Sequence, residues 1–291
     1  MISVCIPTYN RAASLGEALA SAQAQTVRDI EILVVDNAST DGTRDIVADK
    51  ARGDSRIRYV RQAQNVGITR NFTTCITEAR GELVKFLCDD DLLEPQCTEM
   101  LARSLAQPGV SLAACARRML GDSAKVLGVR RQSTVIDGRT MIRELFATRN
   151  SIGEPTAVLF RRADALRGFD ARYEQAFDVE MWCHLLARGS LAYVAEVLCS
   201  VRVHAAQATR ANIASGRIIE DKRRLFRELL PQLDGSLTSR ERWLWDLRMA
   251  SSFGRMRAAG ARAEAGDVAE VFHPRAFRAM VPLASLVWAL Q

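Results

Sequence analysis

The chain has 291 residues, 48% hydrophobic and 25% charged, enough for one large domain, or one domain and a smaller appendage, around a core that needs no staples. Its formal net charge of +6 suits anionic partners, but the arginines are scattered and no helix-turn-helix or RNA-binding signature occurs, which disfavours nucleic acid. No apolar run reaches the ~18 residues that cross a bilayer; the longest candidate, Met280 to Leu290, is too short and contains Pro282.

In chain order, Ser3-Val4-Cys5-Ile6 reads as a strand ending at Pro7. Ala13 to Ala24 reads as a helix with Leu15, Ala18 and Leu19 on one face. Ile30 to Val35 reads as a second strand, apolar apart from Glu31, the pattern of a strand buried on both faces of a parallel sheet. Asp41-Gly42-Thr43 opens a helix toward Ala48, Ile57 to Val60 is a third strand, Ile68 to Ala79 a helix and Leu83 to Leu87 a fourth strand. Pro95 suits the first turn of a helix reaching Leu105. This β-α-β-α order predicts a doubly wound α/β sheet. Further on, Leu112 to Ala116, Ala157 to Phe160, Leu191 to Val194 and Val197 to Val203 read as strands, and Met141 to Ala147 and Asp178 to Ala187 as helices. Beyond a boundary near Ala206, Ile213 to Leu230 and Arg240 to Ala259 read as Arg- and Glu-rich helices of a C-terminal appendage, residues 206–291, following a domain of residues 1–205.

Seven cysteines, Cys5, Cys75, Cys88, Cys97, Cys115, Cys183 and Cys199, form no CxxC pair. The odd number and apolar settings predict reduced, buried thiols in a cytosolic protein. Met1-Ile2-Ser3-Val4 lacks a basic n-region and enters a strand directly, so it is not read as a signal peptide.

Ligands of open α/β sheets bind at the carboxyl ends of the strands. The segments there are Pro7-Thr8-Tyr9-Asn10-Arg11, Asp36 to Gly42, and Cys88-Asp89-Asp90-Asp91. None is GxGxxG or GxxxxGK[ST], which disfavours a dinucleotide dehydrogenase and a P-loop NTPase. Three successive carboxylates repel and raise one another's pKa, a cost that a divalent cation removes. Hard oxygen ligands suit Mg²⁺ or Mn²⁺, which also bind substrate phosphates. A solvated acidic turn ahead of the Pro95 helix is the plainer reading; the position after a buried strand favours the cation.

These segments, in order, resemble glycosyltransferase family 2 with its GT-A fold, a mixed sheet flanked by helices. The likeness is carried by residues 3–11, by Glu31 to Thr43, by Asn65-Val66-Gly67 with Arg70-Asn71 and Gly81-Glu82, by Phe86 to Asp91 with Pro95, and by Gly168-Phe169-Asp170 followed by Asp178. It covers roughly the first 205 residues. It implies an inverting enzyme that moves a sugar from a UDP- or dTDP-sugar to an acceptor hydroxyl. Pro7, Tyr9 and Asp36 would line the base pocket, with Asp36 accepting from a pyrimidine imide and Arg70 meeting nucleotide charge; Thr8, Asn10, Arg11 and Asn37 belong to the same nucleotide-binding set. Asp89 would sit near the ribose, and Asp90 would reach the metal; both are offered as ligands. Cys88 stands where the family's DXD motif has its first acidic residue.

The resemblance also makes Asp178 the general base that takes the acceptor proton. Phe177-Asp178 replaces the family's common Glu-Asp, and the alternatives are an N-cap role for Asp178 and Glu180 as the base. His204, in Arg202-Val203-His204, is either structural or a third metal ligand or phosphate contact. Glu154, Asp91 and Trp182 are candidates near donor sugar or acceptor, with Trp182 alternatively in the core. The implied acceptor is a growing surface polysaccharide or its lipid-linked precursor. Phe272 to Arg278 with apolar Met280 to Leu290 could rest on the inner face of the membrane, or pack on protein. Two rivals stand beside this reading: a nucleotidyltransferase, which needs a Gly-rich loop absent after the first strand, and a non-catalytic nucleotide-sugar binding or scaffold protein.

Overall fold

The computed structural model describes residues 1–121, 125–147, 150–203, 217–229 and 238. They form two compact units. The first holds Met1–Met141, Ser151–Ala171 and Met181–His204; the second takes Ile142–Asn150 and Arg172–Glu180 together with the helix Arg217–Leu229. The expectations for His204, for a helix over 240–259 and for the stretch 272–290 lie outside the described residues.

The first unit begins with β1 (Ile2–Thr8), α1 (Ala12–Gln23), β2 (Ile30–Asp36), α2 (Thr43–Gly53), β3 (Ile57–Arg61), α3 (Ile68–Glu78) and β4 (Leu83–Phe86). It continues through β5 (Leu92–Leu93), α4 (Cys97–Leu105), β6 (Val110–Leu120), β7 (Lys125–Leu127), β8 (Thr134–Ile136), β9 (Val158–Arg161) and β10 (Ser190–Arg202). The remaining described α-helices are α5 (Gly138–Ala147), α6 (Phe177–Leu186) and α7 (Arg217–Leu229), and short 3-10 turns at Pro155–Ala157 and Arg162–Ala165 flank β9. One sheet runs β3-β2-β1-β4-β9-β6-β10-β5, with β7 beside β6 and β8 beside β10. It is mixed: β1 is parallel to β2 and β4, β9 is antiparallel to β4 and β6, and β10 is parallel to β6.

Every residue of β1 and β2 is buried, because helices cover both faces. On one face Val4, Ile6, Ile32 and Val34 join Leu15, Ala18, Leu19 and Ala22 of α1, whose spacing keeps them on one helix side. On the other, Cys5 Sγ lies 3.8 Å from the Cys75 carbonyl of α3, and the rings of Phe72 and Phe86 are 4.9 Å apart. Alternate residues thus enter opposite cores, and the runs read as mainly apolar, with the buried Glu31 of β2 partnered by Ser3 and Arg58.

Three local expectations change. Pro7 lies inside β1 rather than ending it, pairing with Val35. Cys5 bonds toward β4 and Thr8 toward β2, so alternation turns Pro7 to the β4 side, just past the bond from the Leu87 N–H to the Cys5 carbonyl. Its missing N–H therefore falls where the β1–β4 ladder ends. The two strands expected at 191–194 and 197–203 are one, β10, with register shifts against β6 between Val194 and Val197 and between Val197 and Cys199. A bulge at the exposed Glu196 breaks the alternation that the sequence shows. The short strands β5, β7 and β8 were not expected.

Candidate active site at the carboxyl edge of the sheet

The loops after β1 and β2 are laced together. Asn10 donates its N–H to Ser39 Oγ at 2.9 Å, and its Oδ1 accepts from the Thr40 N–H at 2.8 Å. Asp41 serves two helix starts: Oδ2 accepts from Ala12 N–H at 2.9 Å, and Oδ1 from the Thr43 hydroxyl at 2.6 Å. This lacing holds two non-glycine residues in the left-handed region, Asn10 at φ 52° and Ala38 at φ 63°. For Ala38 that conformation costs about 1 kcal/mol. Ala38→Gly is therefore expected to be as stable as the parent or slightly more so, whereas Ala38→Val should lose about 1–2 kcal/mol because a β-branched residue fits φ > 0 worst. Urea unfolding midpoints check both, and a Gly variant less stable than the Val variant would contradict the strain.

Asp36 ends β2 with no exposed surface. Its Oδ1 accepts from the Ser39 N–H at 2.8 Å, and its Oδ2 from the Tyr59 hydroxyl at 2.5 Å and Arg61 at 3.1 Å. Three donors thus already occupy this fully buried carboxylate. Asn37, 3% exposed, is likewise engaged: its Nδ2 donates to Asn65 Oδ1 at 2.9 Å and its Oδ1 accepts from the Val66 N–H at 2.8 Å. It fastens the turn that starts α3, a structural job where a nucleotide contact was expected. Tyr9 keeps 44% of its surface exposed, and Arg70 is exposed on α3.

The three carboxylates after β4 divide into different environments. Asp91 is 2% exposed, and both its oxygens are used: Oδ1 accepts from the Arg202 N–H at 2.9 Å and Oδ2 from the Thr156 hydroxyl at 2.5 Å. The expectation that Asp91 faces a sugar is corrected; it ties the turn to β10 and to the segment before β9. Thr156 Oγ1 also accepts from Cys88 N–H at 3.0 Å, and its carbonyl accepts from the fully buried Lys85 ammonium. Arg202 Nε donates to the Asp90 carbonyl at 3.0 Å. Asp89 is close to the Arg11 guanidinium, at 4.0 Å, with its side chain 13% exposed.

Burial pushes the Asp89 carboxyl up to about 7; Asp90 adds to this, and the Thr8 hydroxyl, Arg11 and the Tyr9 amide oppose it. Burial, then Asp90, also takes Asp91 to about 7 against the bonds from Thr156 and Arg202. Burial, then Asp91, pushes the Cys88 thiol well up, so it stays neutral. A carboxyl whose folded pKa is raised contributes stability at low pH that disappears as pH rises through that value. Burial, aided by Arg167 and Arg188, lowers His184 to about 4, which favours the fold as pH rises to 6.5 and is then complete. The thermal midpoint in EDTA should therefore fall between pH 6.5 and 8. A midpoint that is flat or rising across that window would show that these carboxyls are not held protonated.

Glu154 pairs with Arg117, a guanidinium only 3% exposed, while its own side chain is 40% exposed. Trp182 is fully buried beside Phe160 and donates Nε1–H to the Gly153 carbonyl at 3.2 Å. It is a core residue with no ring face open to a sugar, the core reading of Trp182 rather than the place near donor sugar or acceptor. Asp178 belongs to the second unit. Helix α6 starts at Phe177, so Asp178 lies inside its first turn and is not the N-cap. Its Oδ1 accepts from the Val179 N–H at 2.7 Å, and Asn150 Nδ2 donates to Oδ2 at 3.4 Å.

The glycosyl transferase family 2 profile matches residues 3–167, from the first residues of β1 past the end of β9. The chain belongs to glycosyltransferase family 2. It is an enzyme of glycosyl transfer, and the mixed sheet is a GT-A fold. An uncharacterised protein of Mycobacterium tuberculosis is 34% identical over 244 residues, 79% of this chain and 76% of that one. A GalNAc(5)-diNAcBac-PP-undecaprenol β-1,3-glucosyltransferase of Campylobacter jejuni is 40% identical over 93 residues, 32% of this chain and 30% of the relative. Among solved structures, residues 1–349 of Staphylococcus aureus TarS superpose with a TM-score of 0.62 at 15% identity, covering 99% of this chain and 91% of that one. The mannosyltransferase PcManGT of Pyrobaculum calidifontis, in complex with GDP-Man and Mn²⁺, gives 0.60 at 20% identity, covering 99% and 86%.

Several residues of this family 2 glycosyltransferase that build the site escaped the sequence reading: Tyr59, Arg61, Lys85, Thr156 and Arg202. Only Lys85 carried a local signal, a lone cation within the apolar run of β4. The others are recruited across distances such as the 65 positions between Asp91 and Thr156.

Proposed function

We propose that this glycosyltransferase transfers a sugar with inversion from a UDP- or dTDP-sugar to an acceptor hydroxyl, with Mg²⁺ or Mn²⁺ as cofactor. The observation that carries the proposal is the pairing of Asp89 and Asp90 on a turn held rigidly by Asp91, Thr156 and Arg202, beside the exposed Tyr9 at the same sheet edge. The donor set suits a hard cation: oxygen ligands, with a buried carboxyl at Asp89 whose ionisation the cation would favour. Among the described residues no three His, Cys, Asp or Glu side chains converge on one ion. Asp90, with Asp89, would supply the protein's share of the ligands, and water and phosphate oxygens the rest, as is usual for Mg²⁺. The neutral thiol of Cys88 is a poor partner for such an ion. The bound cation supplies charge stabilisation to the departing diphosphate.

The chain's own residues would do the remaining work. Tyr9 would offer its exposed ring to the base, with Pro7 and Asp36 buried at the adjoining strand ends. Arg11 and Arg70 would meet the donor's negative charge, with Thr8 and Asn10 lining the same edge. Glu154, half exposed and oriented by Arg117, would accept a hydroxyl hydrogen bond from donor or acceptor sugar. Asp178 would accept the proton of the attacking hydroxyl.

The Campylobacter relative acts on an undecaprenol-linked glycan, as its name states, which supports a lipid-linked or surface-polysaccharide acceptor and work at the inner membrane face. No described helix is long and apolar enough to cross a membrane. UDP-GlcNAc complexes of TarS support a pyrimidine donor, and the GDP-Man complex of PcManGT makes guanine the comparison to include. Thermal stabilisation by a panel of UDP-, dTDP- and GDP-sugars, with Mn²⁺ and with EDTA, tests the reading. A ligand at a hundred times its Kd should add about 2.7 kcal/mol. The expected winner is a pyrimidine sugar-nucleotide acting only with Mn²⁺. A panel without any shift would overturn donor binding, and an equal shift in EDTA would overturn the metal.

A further inference from the structure

Asp221 of α7 is a buried carboxylate, 3% exposed, that takes no part in the reaction described above. Its Oδ2 accepts from the N–H of Gln175 at 2.6 Å and of Ala176 at 2.9 Å, and the Glu174 amide also bonds to this carboxylate. Three successive backbone donors thus meet one carboxylate just before Phe177, the first residue of α6. Donors at a helix start have no partner within the helix, and an anion there also answers the helix dipole. The capping that a local Ser, Thr, Asn or Asp normally provides comes here from a side chain 45 positions downstream.

The rest of that α7 face is devoted to the same segment. Glu228 holds Arg172 through two bonds of 2.9 Å and accepts from the Tyr173 hydroxyl at 3.2 Å. Arg224 donates to the Arg172 carbonyl, and its guanidinium carbon stands 5.6 Å from the centre of the Tyr173 ring. Asp221, Arg224 and Glu228 are spaced by three and four residues, so they line one side of the helix, with the buried Leu225 between them. Two residues beyond the last capped amide is Asp178.

We infer that Asp221 is a positioning residue: through the amides of Glu174, Gln175 and Ala176, α7 holds Asp178 where it can accept the acceptor's proton. The inference rests on the reading of Asp178 as the base. A base must stand within hydrogen-bond reach of the proton it removes, and displacements of the order of 1 Å can cost about a hundredfold in rate. The geometry gives α7 a task in the reaction through the backbone amides that Asp221 holds.

The test compares the full-length parent with Asp221→Ala, Asp221→Asn and Asp178→Asn. Two measurements are made: hydrogen exchange of the Arg172–Glu180 amides, and Mn²⁺-dependent hydrolysis of UDP-, dTDP- and GDP-sugars. Asp221→Ala should speed exchange at 174–178 about tenfold, since hydrogen bonds to charged groups are the stronger ones. It should also lower kcat about 10- to 100-fold while donor KM stays within twofold, and Asp221→Asn, which keeps an acceptor oxygen, should recover most of both. If Asp221→Ala does not fold, Asp221→Asn and Glu228→Gln carry the same comparison at smaller amplitude. Unchanged kcat with faster exchange would make Asp221 a helix cap alone and overturn the inference. Unchanged exchange would remove its physical basis. Full turnover by Asp178→Asn, with Asp221→Ala impaired, would instead overturn the reading of the base. Absence of hydrolysis by the parent with every sugar-nucleotide would overturn the reading of Asp178 as a base and the inference with it, whatever the exchange result.

Discussion

Asp90→Asn should leave a folded protein that no longer responds to Mn²⁺ and turns over donor about a thousandfold more slowly. The size follows from what one charged group aimed at developing charge is worth, a factor of about 10²–10³, with the lost ligand added. The sign on stability is opposite. Asp90 is one of the charges that raise the Asp89 carboxyl to about 7, so its removal relieves repulsion in the cation-free protein. The variant should therefore melt at or above the parent's temperature in EDTA, with a smaller fall between pH 6.5 and 8, and below the parent in saturating Mn²⁺ with sugar-nucleotide. Arg202 holds the carbonyl of residue 90, which the substitution keeps, so the turn should survive. Paired melting curves with and without Mn²⁺ decide the matter. A variant that keeps the parent's Mn²⁺ response would remove Asp90 from the ligand set.

The second large effect concerns Asp178. Asp178→Asn should keep donor affinity within about twofold and lose transfer by 10²–10⁴, the range of a positioned general base. The amide keeps the shape and the acceptor oxygen that meets the Val179 N–H, so the first turn of α6 should remain. Glu180, the rival base, is only 7% exposed, and its charge acts on the buried Tyr173 hydroxyl of the same unit. Glu180→Gln should consequently shift stability more than turnover. Kinetics of both variants, with donor affinity measured separately, distinguish the two carboxylates. Should Asp178→Asn retain full turnover while Glu180→Gln loses it, the base would be reassigned.

Much of the fold was legible because it depends on local chemistry. The mainly apolar runs at 30–35 and 83–87, each broken by one charge (Glu31, Lys85) and separated by helical spacing, suit strands buried on both faces, and β1, β2, β4, α1 and α3 formed where expected. The strand β10 was split on paper because Glu196 interrupts the pattern, whereas a bulge absorbs it once β6 lies alongside. Strands β5, β7 and β8, two or three residues each, exist only through their neighbours' ladders.

The same division runs through the site. By itself the sequence determined the sheet's carboxyl edge, the three polar segments upon it and the family to which their order points, since strand period and residue chemistry are properties of short stretches. Only the tertiary structure decided which members of those segments remain available. Asp89, Asp90 and Asp91 are chemically identical neighbours, yet Asp91 is consumed by Thr156 and Arg202, Asn37 by the turn at Asn65 and Trp182 by the core. A buried polar group must find a partner, and that partner comes from whatever strand or helix the chain brings within 3 Å, at a separation in sequence that no local pattern records.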